Sequence, residues 1–413
     1  MSRVVVIGGG AAGLMSAITA AENGNQVIIA EKRERPARKL LITGKGRCNV
    51  TNNCDNDTLI ANIPKNARFL YSAFAAWSSA DTINFFEKNG VPLKTERGNR
   101  VFPVSDKAVD IVDALVNKAK SVGVKFVHEA AEEILTENNA VSGVLLQNDE
   151  KLVCDAVILA TGGMSYQNTG STGDGYKMAS ALGHTVTDIS PSLVPLNIHE
   201  GFCVSLMGLS LKNVTLSVYE QGKQKPIYEE MGEMLFTHFG ISGPLVLSAS
   251  AHIRNMGKKE YTVKINLKPA LSEEQLDKRL QRDFLENNNK NLINSLDKLL
   301  PQKLIPVVVK LSGVPSDKKV NQITKADRQA IINVMRALTL RVKSFRDINE
   351  AIITSGGISV KEINPTTMES KIINNLFFAG EIIDVDAYTG GFNLQIAFST
   401  GYLAGSSAKG EEI

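Results

Sequence analysis

Val4-Val5-Val6-Ile7-Gly8-Gly9-Gly10-Ala11-Ala12-Gly13 decides the fold of this 413-residue chain. Four successive β-branched residues form a short, wholly apolar run, the mark of a strand buried on both faces of a parallel sheet. The alanine-rich stretch from Ala11 to Asn23 predicts a helix, closed by Gly24. Val27-Ile28-Ile29-Ala30 is the second strand and ends at Glu31. The result is a βαβ unit with Gly8, Gly10 and Gly13 spaced as G-x-G-x-x-G at its first turn. Gly8 permits the tight turn, Gly10 lets the backbone approach a pyrophosphate, and Gly13 lets helix and strand pack closely. The free amides of Ala11 and Ala12 open the helix, where its dipole favours phosphate. Glu31, 18 residues beyond Gly13, suits a carboxylate that binds a ribose hydroxyl pair and repels a 2′-phosphate. These features together predict a dinucleotide site.

Outward from this unit, a polar loop covers residues 33–53, and helical patterns run through 69–76, 81–88 and 109–121. Residues 124–127, 141–146 and 153–161 read as strands, and Gly173-Asp174-Gly175 opens a helix that stops at Gly183. After Pro191 the character changes. Val214–Tyr219 and Tyr261–Leu267 alternate with period two, as half-solvated antiparallel strands do. Residues 272–285, 292–299 and 325–337 are polar and helix-patterned, and parallel-sheet character returns at Asn375–Ala379 before a last helix over 394–403.

The composition is that of an ordinary globular protein, 43% hydrophobic and 22% charged. A net charge of +3 gives no reason to expect a nucleic-acid or membrane partner. Cys48, Cys54, Cys154 and Cys203 contain no C-x-x-C pair, which argues against a disulfide framework or a zinc site. No apolar run reaches the ~18 residues of a spanning helix, so the chain reads as cytoplasmic.

The glycine fingerprint alone does not separate NAD from FAD. Three further segments point to FAD by resemblance. Ala160-Thr161-Gly162-Gly163 resembles the A-T-G segment of glutathione-reductase-type flavoproteins. Thr172-Gly173-Asp174-Gly175-Tyr176-Lys177-Met178-Ala179 resembles the T-G-D-G-x-x-M-A stretch of fumarate reductase and aspartate oxidase relatives. Phe378-Ala379-Gly380-Glu381 with Asp384 is similar to the second FAD motif, ahead of Thr389-Gly390-Gly391-Phe392-Asn393-Leu394-Gln395 at the start of the last helix.

Over its whole length the chain resembles the BaiN-like flavoproteins. The resemblance is carried by Arg38-Lys39-Leu40, by Gly44-Lys45-Gly46-Arg47-Cys48-Asn49-Val50-Thr51-Asn52, by Phe236–Pro244 and by Asn364–Lys371. Lys45 departs from the three successive glycines that relatives often carry. The fold class this implies is α/β. A Rossmann-like FAD-binding domain is expected over 1–190 and 341–413, with an inserted domain over 191–340 that is β-rich to about 270 and helical from about 271.

The resemblance implies that Glu31, Lys32, Arg38 and Lys39 lie along adenosine and pyrophosphate, with Ala131 meeting the adenine through its backbone. Gly46, Thr161, Gly162 and Gly380 fall on the cofactor motifs. Glu381, Asp384, Gly391, Asn393, Leu394 and Gln395 are expected along the ribityl chain and isoalloxazine ring. It further implies reduction of a C=C bond conjugated with a ketone in a small molecule, as in 3-dehydro-bile-acid Δ4,6 intermediates, with NAD(P)H as transient reductant. An amine oxidase of the aminoacetone type and an RNA-modifying or RNA-binding flavoprotein are the alternatives. No catalytic residue is assigned, and oligomeric state stays open. Tyr388 stands as a candidate proton donor, and His238 reads as a structural histidine.

Overall fold

The computed structural model describes residues 1–408. The chain divides into two compact units, Met1–Ser192 with Ile348–Ile413, and Leu193–Asp347.

The first unit is organised by a five-stranded sheet, ordered Leu376–Phe378, Ala156–Leu159, Arg3–Ile7, Gln26–Ala30 and Lys125–Val127. All its pairings are parallel. Val4 to Ile7 and Ala156 to Leu159 are buried throughout, so these strands need apolar side chains on both faces. The sheet thus brings the first strand of the chain within one strand of the last. The helix Ala11–Glu22, here α1, crosses to the second strand and packs on the final helix, Phe392–Ser407. A Cβ at Gly401 would stand 2.6 Å from the Ala12 carbonyl oxygen, and one at Gly405 2.4 Å from that of Ser16. Small residues are what let the two backbones come this close.

The stretch 153–161, expected as one strand, is two. Lys151–Val153 belongs to a three-stranded antiparallel sheet and Ala156–Leu159 to the parallel one. The chain turns between them at Asp155, whose carboxylate accepts from the Arg3 amide at 2.7 Å.

The second unit is a closed six-stranded barrel plus helices. Leu338–Phe345 closes it, pairing antiparallel with both Tyr261–Asn266 and Leu196–Ile198. The expected boundary at 340 therefore cuts through a strand, and the unit runs on to Asp347. Its helical residues are a loop of the barrel rather than a separate C-terminal part. The helix Glu273–Glu286 starts at a Ser272–Gln275 capping box. The expected helix over 292–299 reduces to a single 3₁₀ turn, Leu292–Asn294, while Ile305–Ser312 is a helix that sequence patterning missed.

Candidate functional site

One cavity of about 630 Å³ runs along the C-terminal edge of the parallel sheet, and all its lining residues belong to the first unit. Open α/β sheets bind ligands at that edge.

Its centre is the turn between the first strand and α1. Gly8 has a φ of +100°, and a Cβ there would lie 2.7 Å from the Ala160 carbonyl oxygen. At Gly13 a Cβ would come within 1.9 Å of the Gly8 carbonyl oxygen, so this glycine is a packing requirement. Gly10 is the opposite case: a Cβ would meet no protein atom within 4 Å. The space it leaves is cavity. Gly10 caps α1 without a side-chain hydrogen bond, and no acid occupies the first turn. The opening amides of α1 are thus available to an anion.

On one side of this turn lie Glu31, Lys32, Ala130 and Ala131. The Glu31 carboxylate accepts from the Gly9 amide at 2.7 Å and from the Arg33 amide at 2.9 Å, tying the second strand to the glycine turn. Lys32 pairs with Asp174. Burial opposes ionisation of Asp174, but hydrogen bonds from Lys32 and Thr172 outweigh it and hold the carboxyl below its ordinary value. The second glycine of this motif is structural, because a Cβ at Gly175 would sit 2.0 Å from the Thr161 hydroxyl oxygen.

The two ends of the sequence meet in the cavity wall. Lys39 Nζ donates to Glu381 at 2.6 Å and to Ser165 Oγ at 2.7 Å. The other Glu381 oxygen accepts from the Thr354 amide at 2.9 Å. Lys39 and Glu381, both expected at the site, are each other's partners. On the far side of the turn lie Thr43, Gly44, Lys45, Arg47, Asn49, Arg100, Phe102 and the segment Tyr388–Leu394. The Arg47 guanidinium stacks on Phe102 at 4.1 Å and is gripped by Glu96 and Asp106. Hydrogen bonds from Arg47 hold Glu96 below its ordinary value, those from Lys94 and then Arg47 hold Asp106 below its own, and both carboxylates raise Arg47.

Of the expected site residues, Gly8, Gly10, Ala11, Ala12, Glu31, Lys32, Arg38, Lys39, Ala131, Thr161, Gly162, Glu381, Gly391, Asn393 and Leu394 line the cavity. Gly13, Gly46, Gly380, Asp384 and Gln395 do not. Asp384 is buried, with its carboxylate ion-paired to Lys65 at 2.7 Å and bonded by Asn66. Gln395 is fully buried and accepts from Thr51 and Thr82 while donating to Ser399 and the Trp77 carbonyl. Gly380 has no room for a Cβ, which would lie 2.7 Å from that of Ala12. His238 is exposed on the turn after Tyr228–Phe236. Asp386 is buried and accepts from Ser192 and Ser355. Sequence reasoning missed Thr43, Asn49, Arg100 and Phe102 as cavity residues. The signal for Arg100 and Phe102 was absent, because they come from a hairpin 50 residues downstream of the loop they join.

Fold and site together define an FAD-dependent oxidoreductase of the Rossmann type. The donors present fit that cofactor: uncapped α1 amides, the open space at Gly10, and the Thr161 hydroxyl, which lines the cavity and has no partner among the described residues. The chain belongs to the HI0933-like protein Rossmann domain family, which it matches over residues 2–407. It is 31% identical to the 3-dehydro-bile acid delta(4,6)-reductase of Clostridium scindens, over 99% of both chains. It is 30% identical to the ribosomal RNA dihydrouridine synthase of Escherichia coli K12, over 96% of both chains. Among solved structures, the 3-ketosteroid delta1-dehydrogenase of Sterolibacterium denitrificans shares the fold, with 13% identity, 98% coverage of each chain and a TM-score of 0.53. No helix among the described residues is long and apolar enough to cross a membrane.

Proposed function

We propose that this chain is an NAD(P)H-dependent FAD reductase of a carbon–carbon double bond conjugated to a carbonyl. The observation behind this reading is a chemical agreement between two full-length relatives whose names describe different substrates. Saturating the C4–C5 bond of a 4,6-diene beside a 3-ketone and saturating the C5–C6 bond of uracil beside its C4 carbonyl are the same bond change. Each places hydride on the β-carbon and a proton on the α-carbon. Bound FAD supplies the two-electron exchange with the nicotinamide donor and with the double bond.

The chain's own residues bind, orient and protonate. The α1 amides and Gly10 take the pyrophosphate, and Glu31 with the Ala131 backbone takes the adenosine. The Tyr388–Asn393 segment forms a wall at the ring end. Its backbone is fixed by Asn393, whose carboxamide both accepts from the Ala387 amide and donates to the Ala387 carbonyl, and by the Tyr388 amide donating to Asn62. Tyr388 lines the cavity and is the hydroxyl acid we assign to the α-carbon. Exposed Lys45 and Arg100 line the same end and offer positive charge to a phosphate-bearing reductant. A second G-x-G-x-x-G is missing from the sequence, so the nicotinamide donor in this reading comes and goes at the ring end.

The 3-keto-enone is our first substrate class. A uracil in RNA is the second, and one observation favours it. Residues 193–347 carry 23 Lys and Arg against 15 Asp and Glu, a net charge of +8, whereas the rest of the chain is at −5. The whole-chain value of +3 averages over two oppositely charged units, and such asymmetry is what polyanion binders show. The expectation of no nucleic-acid partner rested on that average.

Anaerobic mixing with NADH and with NADPH is the test. We expect one of them to bleach the flavin absorbance, and a 3-keto-4,6-diene or a uracil-containing ribosomal RNA to restore it. Dihydrouridine found by mass spectrometry selects the RNA class. If neither nucleotide bleaches the flavin while amines yield peroxide under oxygen, the reductase reading is lost to the oxidase one.

A further inference from the structure

Asn49 has not been given a task. It lines the cavity on the side away from Glu31, yet its side-chain oxygen is shut off from solvent and accepts from no group among the described residues. Buried polar atoms are ordinarily paired, and an unpaired one at a binding site marks a partner not yet counted.

The loop that presents this carboxamide is built at a conformational cost. Gly44, Lys45, Gly46 and Cys48 have φ values of +55°, +59°, +82° and +57°. Two of these are L-residues held in the left-handed region, the kind of strain that persists where the surroundings enforce it. The enforcement is visible. The Cys48 amide donates to the Thr43 carbonyl at 3.0 Å, and Cys48 itself is wholly buried. The Val50 amide donates to Val101 at 2.9 Å. A Cβ at Gly44 would meet the Asn49 amide nitrogen at 3.0 Å and the Phe102 ring at 3.3 Å, so the loop has no slack beneath Asn49.

Its neighbours place it at the ring end. Two residues on, Thr51 packs so closely under Gly391 that a Cβ there would lie 2.3 Å from the Thr51 carbonyl. Gly391 is the residue before the last helix, and Asn52 Nδ2 donates to the Gly390 carbonyl at 3.0 Å. The loop with Asn49 and the start of the last helix are therefore one construction.

We propose that Asn49 is a cofactor-binding residue that pairs its carboxamide with the imide edge of the isoalloxazine ring. The proposal rests on the FAD assignment above. Oxidised isoalloxazine has a single N–H, the imide N3–H, flanked by two carbonyls. A carboxamide presents one acceptor and one donor side by side, the same complementarity by which Asn and Gln read adenine. The Asn49 oxygen accepts from N3–H and its amide nitrogen donates to an adjacent carbonyl.

The test uses apoprotein titrated with FAD and with FAD methylated at N3, read by quenching of flavin fluorescence. Wild type is expected to bind the methylated cofactor about tenfold or more weakly than FAD, and tenfold corresponds to ~1.4 kcal/mol. In Asn49→Ala the ratio should fall to about twofold, with FAD itself bound more weakly. Asn49→Asp keeps an acceptor and should keep the ratio. An unchanged ratio in a folded Asn49→Ala protein overturns the proposal. So does a wild type that binds both cofactors alike, a result that needs no variant. Wild type that takes up neither cofactor overturns the FAD assignment instead.

Discussion

The two ends of the cavity are made in different ways. At the glycine turn the work falls to backbone and to missing side chains: Gly8 and Gly13 fit where nothing larger can, and Gly10 leaves space. Glu31 there is already satisfied by the Gly9 and Arg33 amides, and the Thr161 hydroxyl is the side-chain group left for a ligand. The ring end is made of side chains drawn from three distant stretches, the 43–49 loop, the hairpin bearing Arg100 and Phe102, and Tyr388–Leu394. It retains strain at Lys45 and Cys48 and an unpaired carboxamide at Asn49. Binding a part common to all dinucleotides needs only backbone geometry. Setting the reactivity of one ring takes specific side chains, which must be held by the fold.

The largest effect should come from Gly13→Ala. Its methyl would overlap the Gly8 carbonyl, and we expect a loss of about 3 kcal/mol or more in urea unfolding, with purified protein lacking flavin. Glu381→Ala strands Lys39, which is 21% exposed in the side chain, inside the shared wall. A loss of about 2 kcal/mol is expected, and Lys39→Met should restore part of it in the double variant. Gly10→Ala separates fold from cofactor most sharply. Its φ of −77° suits alanine, so apoprotein stability should change by less than about 0.5 kcal/mol, while FAD binds about tenfold more weakly by titration. Equal damage to both from Gly10→Ala would break the distinction drawn here.

The smallest effect is a pH dependence confined to the ring end. Glu96 and Asp106 sit below their reference values of 4.5 and 3.8, chiefly through hydrogen bonds from Arg47 and from Lys94. Groups depressed in the folded state stabilise it above those reference values, and that contribution is lost as pH falls through the lower folded values. Hydrogen exchange of residues 93–106 should therefore accelerate below about pH 4, while α1 amides hold. In Arg47→Met the Glu96 part of this acid response should be lost, while the part from Asp106, still held by Lys94, should persist.

Much of the glycine-turn end of the cavity was legible in sequence because its parts are contiguous. Residues 4–13 carry strand, turn and helix, and Glu31 follows at a fixed offset. The C-terminal helix start at Gly391 was legible for the same reason. Asp384 and Gln395 illustrate the limit. A motif gives the position of a polar residue but not its partners, and here Lys65, Asn66, Thr51 and Thr82 arrive from elsewhere to bury both. The barrel boundary failed likewise: Leu-Thr-Leu-Arg-Val over 338–342 alternates, but its partners lie up to about 145 residues away. The charge division was present in the composition throughout, hidden by averaging.

The Lys39–Glu381 pair, 342 residues apart in sequence, bears on how the protein is made. On the ribosome the barrel strands are all synthesised by residue 345, while the parallel sheet still lacks Leu376–Phe378 and α1 still lacks the final helix, Phe392–Ser407. Cofactor capture is consequently among the last events of biogenesis. A nascent chain stalled before Gly391 should emerge colourless however long it waits.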